Sequence, residues 1–234
     1  EGFSGKMIMA YEAGAPFGVI ALKDGPIQSP SDLAGTKLAS VTGSGSALIL
    51  PFFLDRVGVE RNSVELQLVG WGMPDTLLLQ KQVDGQAGYL PSIPVIESRG
   101  AEVISFPYSD FGLPTYTLGM VASDETIEKY PNTMAAFAQV FQRSVDWTRQ
   151  NPREALEIFI KHNPAFKTAD FDIVLAGLEI NAATWSNDFT EANAIGWMDE
   201  ARWVETIEFA EKNYGVDLTG KSPADFYTNA FLSK

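Results

Sequence analysis

The stretch Gly43-Ser44-Gly45-Ser46 is the part of this 234-residue sequence best equipped to hold a ligand. It follows the strand-like run KLASV (37–41) and precedes the apolar run ALILPFF (47–53). Backbone N–H groups at a helix start attract anions and polar ligand atoms, and glycine lets a ligand approach the backbone closely. Ser44 and Ser46 add hydroxyl donors. The stretch is not a phosphate loop, because no Lys-Ser/Thr pair follows at the right distance. It is not a dinucleotide fingerprint either, because Leu48 stands where the third glycine belongs. On the residues alone, a tight βα turn is the commoner meaning of such a stretch than a ligand cradle. Pro51 has no N–H to donate, which predicts a helix that starts late or kinks.

Aromatic residues form the second candidate group. Tyr11, Trp71, Tyr89, Tyr108, Phe111 and Tyr116 fall at the ends of strand-like runs or in the loops after them. Ligands of open α/β sheets bind outside the carboxyl ends of the strands, and rings there can stack on a flat ligand. For any single ring, ordinary packing is the commoner role; several together favour a shared one. Glu12 and Asp75 are the acidic candidates, able to accept from an amine or an amino-substituted ring. As alternatives, Glu12 is a solvated loop charge and Asp75, after Pro74, a helix N-terminal acid. The one histidine, His162, sits in IKHNP near a predicted helix end, where its charge suits the dipole. A lone histidine makes no triad, and no His/Glu cluster has metal-ligand spacing. Without a catalytic constellation, binding without chemistry is expected, with no metal and no cofactor.

The elements around these residues alternate strand and helix in the first half. KMIMAY (6–11) and FGVIAL (17–22) read as buried strands, followed by a crossing loop with a helical turn at 31–33. KLASV is the next strand, then an apolar helix runs to about Val57. VELQLVG (64–70), GQAGY (85–89) and EVISFP (102–107) read as strands, with helical spacing in PDTLLLQKQ (74–82) and IPVIESRG (93–100). Such short units imply a parallel sheet flanked by helices. Residues 124–213 read as mostly helical, broken at Pro131, Pro152 and Pro164. Asp124 and Asn151-Pro152 mark starts, and SPADFYTNAFL (222–232) is predicted as a last short helix.

Composition narrows the partners. Net charge is −13 with a sequence pI of about 4.5, which argues against nucleic acid or an anionic membrane surface. The chain has no cysteine, so disulfides, thiolate metal sites and a thiol nucleophile are excluded. No run approaches the ~18 apolar residues of a membrane helix. The start, EGFSGKMIMAYEAG, has no basic n-region or apolar h-region, so no signal peptide is expected within it.

Four stretches carry a family resemblance: PIQSPSDLAGTKLASVTGSGS (26–46), VDGQAGYLPSIPVIESRGAEVISFPYSDFG (83–112), NPREALEIFIKHNP (151–164) and the ending RWVETIEFAEKNYGV…FYTNAFL. In this order they resemble the substrate-binding proteins of bacterial ABC transporters. The branch is the one that includes thiamine-pyrimidine-precursor, riboflavin, and sulfonate, nitrate or taurine binders. The second stretch and the ending are most similar to its pyrimidine-precursor and flavin members. The resemblance spans nearly the whole chain. It implies a two-lobed α/β fold of the periplasmic-binding-protein type, with mainly parallel sheets flanked by helices. The implied lobes are 1–35 with 116–234, mostly helical, and 36–115, closing by a hinge on a ligand in the cleft. Gly43, Ser44, Gly45 and Ser46 would then face the cleft, which turns the preferred reading from simple turn to ligand cradle. Tyr11 and Glu12 would approach from the first lobe, and Trp71 and Tyr89 from the second.

The family normally begins with a further strand-helix-strand segment, and Glu1 enters where that segment ends. The resemblance thus implies an incomplete first lobe, and a fragment, or a separate N-terminal segment as partner, is expected. The implied role is capture of a small aromatic or heterocyclic nutrient for an ABC permease, in the periplasm or tethered outside the cell. A sulfonate or another small anion is the alternative ligand, using the Gly43–Ser46 amides directly. Against it, no arginine lies near the cradle, Arg56 and Arg61 being a helix length away. A third reading is a pyrimidine-making enzyme like a eukaryotic relative of this branch, which uses its own histidine and a pyridoxal phosphate lysine. His162, in the helical half, does not favour it.

Overall fold

The computed structural model describes residues 4–113, 116 and 118–233. Glu1, the expected entry point of the chain, lies outside them. In chain order the elements are β1 (Gly5–Met9), β2 (Phe17–Leu22), β3 (Lys37–Val41), α1 (Gly45–Arg56), β4 (Glu65–Val69), α2 (Met73–Leu79), β5 (Gly85–Tyr89), α3 (Ile93–Glu97) and β6 (Val103–Pro107). Then come β7 (Met120–Ser123), α4 (Asp124–Lys129), α5 (Pro131–Gln150), α6 (Pro152–His162), α7 (Phe171–Ala182), α8 (Asp188–Ala192) and α9 (Glu200–Tyr214). The chain divides into two compact units: unit 1 holds 1–15, 114–155 and 182–234, and unit 2 holds 16–113 and 156–181.

Unit 2 is built on a five-stranded sheet in the order β4-β3-β5-β2-β6. β3 pairs in parallel with β4 and with β5, while β2 runs antiparallel to β5 and to β6. Four strands therefore point one way and β2 alone opposes them. This corrects the expected lobe assignment of residues 17–22. Their strand is hydrogen-bonded into the middle of the second sheet, so it belongs with 36–115. Every β2 residue except the first is buried, as expected for an interior strand with both faces covered. The core beneath packs Ile20 and Leu22 against Leu77, Leu78, Leu90, Ile96 and Val103. Ile180 of α7 packs on the same cluster, which places part of the helical half in unit 2.

Unit 1 has a two-stranded antiparallel ladder, β1 with β7. Tyr227 bridges β1 at Met7, and Trp203 of α9 stacks on the Tyr227 ring at 5.4 Å and 3°. Gln142 of α5 is a buried tie: its Nε2 donates to the Ile195 and Ser233 carbonyls, both at 2.8 Å. Pro131 and Pro152 open α5 and α6 at the first helical position, where a missing N–H costs nothing.

Two helix expectations are corrected: a late start for the helix that carries Pro51, and a helix over 222–232. α1 starts at Gly45, immediately after the glycine-serine turn, and carries Pro51 inside it. Burial of Ile49, Leu50, Phe52, Phe53 and Leu54 outweighs one lost hydrogen bond. Residues 222–232 do not form a helix. They make a single 3-10 turn, Pro223–Asp225, because Ser222 and the Asp225 carboxylate close the turn on themselves (Ser222 N to Asp225 Oδ2, 2.8 Å). The chain then turns to β1, where Thr228 N donates to the Met7 carbonyl. Among the described residues no helix is long and apolar enough to cross a membrane.

β2 lies so close to β6 that an added Cβ at Gly18 would stand 2.6 Å from the Phe106 carbonyl oxygen. Backbone cannot yield as a side chain can. Gly18→Ala is expected to destabilise unit 2 by about 1–3 kcal/mol, read as a lowered midpoint in urea unfolding. An unchanged midpoint would contradict the central placement of β2.

Candidate functional site

The reversed strand decides what gathers at the carboxyl edge of the unit 2 sheet. β3, β4, β5 and β6 end there, and β2 begins there, with Phe17 opposite Tyr89 and Gly18 opposite Pro107. After β3, a turn closes with Ser44 N donating to the Val41 carbonyl at 3.1 Å. Gly43 occupies the left-handed region at φ +73°, a conformation that side chains disfavour. Thr42 N donates to the Val69 carbonyl at 2.9 Å, tying the turn to the end of β4. Ser44 is extended and caps α1, its Oγ accepting from Ala47 N.

Gly45 is the first helical residue, and a Cβ there would sit 2.7 Å from the Phe17 ring. Phe17 therefore lies directly against the start of α1. Its ring centroid is 6.1 Å from that of Tyr89, so the two rings form a wall beside the turn. Trp71 follows β4 at the same edge and is 85% exposed. Ser46 differs from its neighbours. It is buried, and its Oγ donates inward to the Ala87 carbonyl at 2.9 Å. Tyr108 and Phe111, candidates from their place after a strand-like run, pack against Phe53 of α1 at 4.9 and 5.1 Å. Tyr108 is completely buried, which pushes its hydroxyl far above the usual tyrosine range. Asp75 accepts from Gln86 Nε2 at 2.9 Å.

Charge is unevenly spread over residues 16–113. Their six cations are Lys23, Lys37, Arg56, Arg61, Lys81 and Arg99. Lys37 opens β3, and Arg61, Lys81 and Arg99 precede β4, β5 and β6. Lys23 follows β2, and Arg56 closes α1. All six thus belong to the amino edge or to the far end of α1. Lys23, Lys37, Arg61 and Lys81 are paired there with Glu102, Glu65, Asp55 and Asp24.

The match to a family model described as NMT1/THI5 like covers residues 1–155. The chain belongs to the NMT1/THI5-like family. Two curated relatives lie within reach. The riboflavin-binding protein RibY of Chloroflexus aurantiacus is 24% identical over 214 residues, covering 89% of this chain and 60% of that one. The formylaminopyrimidine-binding protein of Halalkalibacterium halodurans is 23% identical over 206 residues, covering 82% and 62%. The chain thus spans about three fifths of the length of these relatives. Among solved structures, the periplasmic aliphatic sulphonate binding protein SsuA of Escherichia coli matches with a TM-score of 0.67. Its sequence is 17% identical, over 92% of this chain and 65% of that one. The fold is therefore the periplasmic-binding-protein type.

In this NMT1/THI5-like chain, Tyr11 and Glu12 belong to unit 1. Their segment is held at several points. Ala10 N donates to the Gly196 carbonyl at 3.1 Å, and Gly14 N donates to the Thr184 carbonyl at 2.8 Å. The Ala13 carbonyl accepts from the Arg202 guanidinium and from Asn187 Nδ2. Arg202 lies over the Tyr116 ring at 4.8 Å, and burial lowers its pKa. Tyr116 in turn accepts from Asp199 N at 2.7 Å. Glu12 is 1% exposed, so it is no solvated loop charge. Burial, and then the charge of Glu12, raise the pKa of Tyr11, whose ring meets Phe141 edge-on at 5.6 Å. His162 ends α6 in the exposed last turn.

The structure therefore brings Gly43, Ser44, Gly45, Ser46 and Tyr89 together at one edge, sets Trp71 at that edge after β4, and keeps Tyr11 and Glu12 in the other unit. It adds Phe17, Ser40 and Gln86. Ser40 stands out in the sequence as the one hydroxyl in the strand-like run KLASV. Phe17 was hidden, because nothing local says that its strand runs backwards. Gly45→Ala is expected to displace the end of the Phe17 ring at a cost below about 1.5 kcal/mol. The test is thermal unfolding combined with the ring's NMR shifts. Phe17 shifts unchanged from wild type would contradict the close approach.

Proposed function

We propose that this chain is the solute-binding part of an ABC import system. It holds a small, flat heteroaromatic nutrient, neutral or amine-bearing, at the carboxyl edge of the unit 2 sheet. One observation carries this reading: a hydroxyl-and-amide turn stands beside the Phe17–Tyr89 wall at an edge to which residues 16–113 contribute no cation. A planar ring would lay its face on Phe17, Tyr89 and Trp71. Its acceptor atoms would meet the Ser44 hydroxyl and the first amides of α1. Tyr11 and Glu12 enter the proposal as a separate pair, with the Glu12 carboxylate accepting from a ligand amine. The names of the riboflavin- and formylaminopyrimidine-binding relatives support this class of ligand. A permease of the same system is the proposed partner, and an extracytoplasmic place goes with that role. No reaction is assigned to the chain.

A second reading, a sulfonate or another small anion, is favoured by a different observation. The first turn of α1 contains no carboxylate, so its amides are open to negative charge.

The test is native mass spectrometry of protein purified without refolding, followed by titration with a formylaminopyrimidine, riboflavin and taurine. A co-purified heteroaromatic, or binding of either ring compound in preference to taurine, is the expected result. Trp71→Ala should weaken that binding about tenfold, and Ser44→Ala about fivefold. Glu12→Gln should weaken binding of the formylaminopyrimidine, whose amine the carboxylate is proposed to meet, and leave that of riboflavin unchanged. Tighter binding of taurine would replace this reading with the anion one, and binding of none of the three would overturn both.

A further inference from the structure

β3 and β5 part company before they end. Their paired residues stop at Ala39 and Gln86, although β3 runs on to Val41 and β5 to Tyr89. One residue beyond the last pair, the Ala87 carbonyl receives two side-chain hydroxyls in place of a strand. Ser40 Oγ donates to it at 2.6 Å and Ser46 Oγ at 2.9 Å. Ser40 is 0% exposed, Ser46 2% and Ala87 1%, so all of this happens out of contact with water. Tyr108, also fully buried, donates its hydroxyl to the Ser46 carbonyl at 3.3 Å.

We infer that Ser40 is a positioning residue for the proposed ligand site. With Ser46 it pins the first turn of α1 into the gap between β3 and β5, and so fixes where that turn's amides and the Ser44 hydroxyl point. The proton count supports this division of labour. The Ser40 and Ser46 protons both go to Ala87. Ser44 Oγ lies 3.2 Å from each of their oxygens and accepts from Ala47 N. With those two protons committed, the Ser44 hydroxyl is the donor in its contacts with Ser40 and Ser46, and it can turn to a ligand acceptor without uncovering the Ala87 carbonyl. Ser40 and Ser46 hold the frame, and Ser44 is the hydroxyl proposed to meet the ligand.

The effect of this inference on affinity rests on the proposed function; its effect on the helix start does not. The experiment therefore has two readouts, in the full chain and in its Ser40→Ala, Ser46→Ala and double variants. Amide exchange of residues 44–50 reads the lock without any ligand. Each single variant should speed it about fivefold, the worth of one buried hydrogen bond, with β6 unchanged as the internal control. The double variant should exceed the product of the singles, because it strips both side-chain donors from one buried carbonyl. Unchanged exchange at 44–50, or equal acceleration over the whole sheet, would overturn the inference. For the probe that wild type binds, whether a formylaminopyrimidine, riboflavin or taurine, Ser40→Ala should weaken binding about fivefold while leaving the preference among probes intact. Faster exchange with unaltered affinity would overturn the positioning role. A wild type that binds no probe overturns the functional reading, and the affinity effect with it, whatever the exchange shows.

Discussion

The Ala87 carbonyl is buried at the point where two parallel strands diverge, and a buried carbonyl without a donor costs free energy that a fold must avoid. Most of unit 2 can be understood from how that demand is met. The donors come from Ser40 in the neighbouring strand and from Ser46 in the first turn of α1. Meeting the demand draws the start of α1 down between the strands instead of leaving it above them. With α1 so seated, the Phe17 ring fills the space that a Gly45 side chain would take, and any larger residue there must displace it. Phe53, further along the same helix, then meets Tyr108 and Phe111, and the segment after β6 packs along α1. A turn that a sequence reader sees as flexible is thus fastened from below by hydroxyls and from the side by rings.

Much of this was legible before any coordinates. The strands at 37–41 and 85–89 fall where the sequence pattern puts them, because short apolar runs between glycines leave little choice. The helices opening at Pro131 and Pro152 follow the same logic. What could not be read was direction. FGVIAL is as good a strand pointing up as down, and only its neighbours' hydrogen bonds reveal that it opposes them. That single unknown misplaced residues 17–35 and concealed Phe17 from the list of candidate residues. The Pro51 helix and the ending at 222–232 show a second limit. In the first, burial of five apolar side chains overrides a local penalty. In the second, a local Ser222–Asp225 closure overrides a helical pattern.

For the site, the sequence named the right turn but could not sort its members. Gly43, Ser44, Gly45 and Ser46 look alike in a string of letters. In the fold they do four different jobs: a left-handed corner, a helix cap, a seat for a ring and an inward anchor. Likewise Tyr89 and Tyr108 are both tyrosines at strand ends. One is 37% exposed beside Phe17, and the other is sealed in the core. Strand register and the direction of each Cβ make these distinctions, and neither is a property of composition.

The separation of charge across unit 2 has a consequence of its own. Ion pairs lie along one rim of the sheet, and oriented peptide dipoles stand at the other. Mobile ions screen exposed charges over a Debye length of about 8 Å in physiological saline. The grip proposed for a neutral ring at the carboxyl edge, made by ring faces and a hydroxyl, contains no ion pair for those ions to weaken. Its strength is therefore expected to vary little between fresh and brackish surroundings.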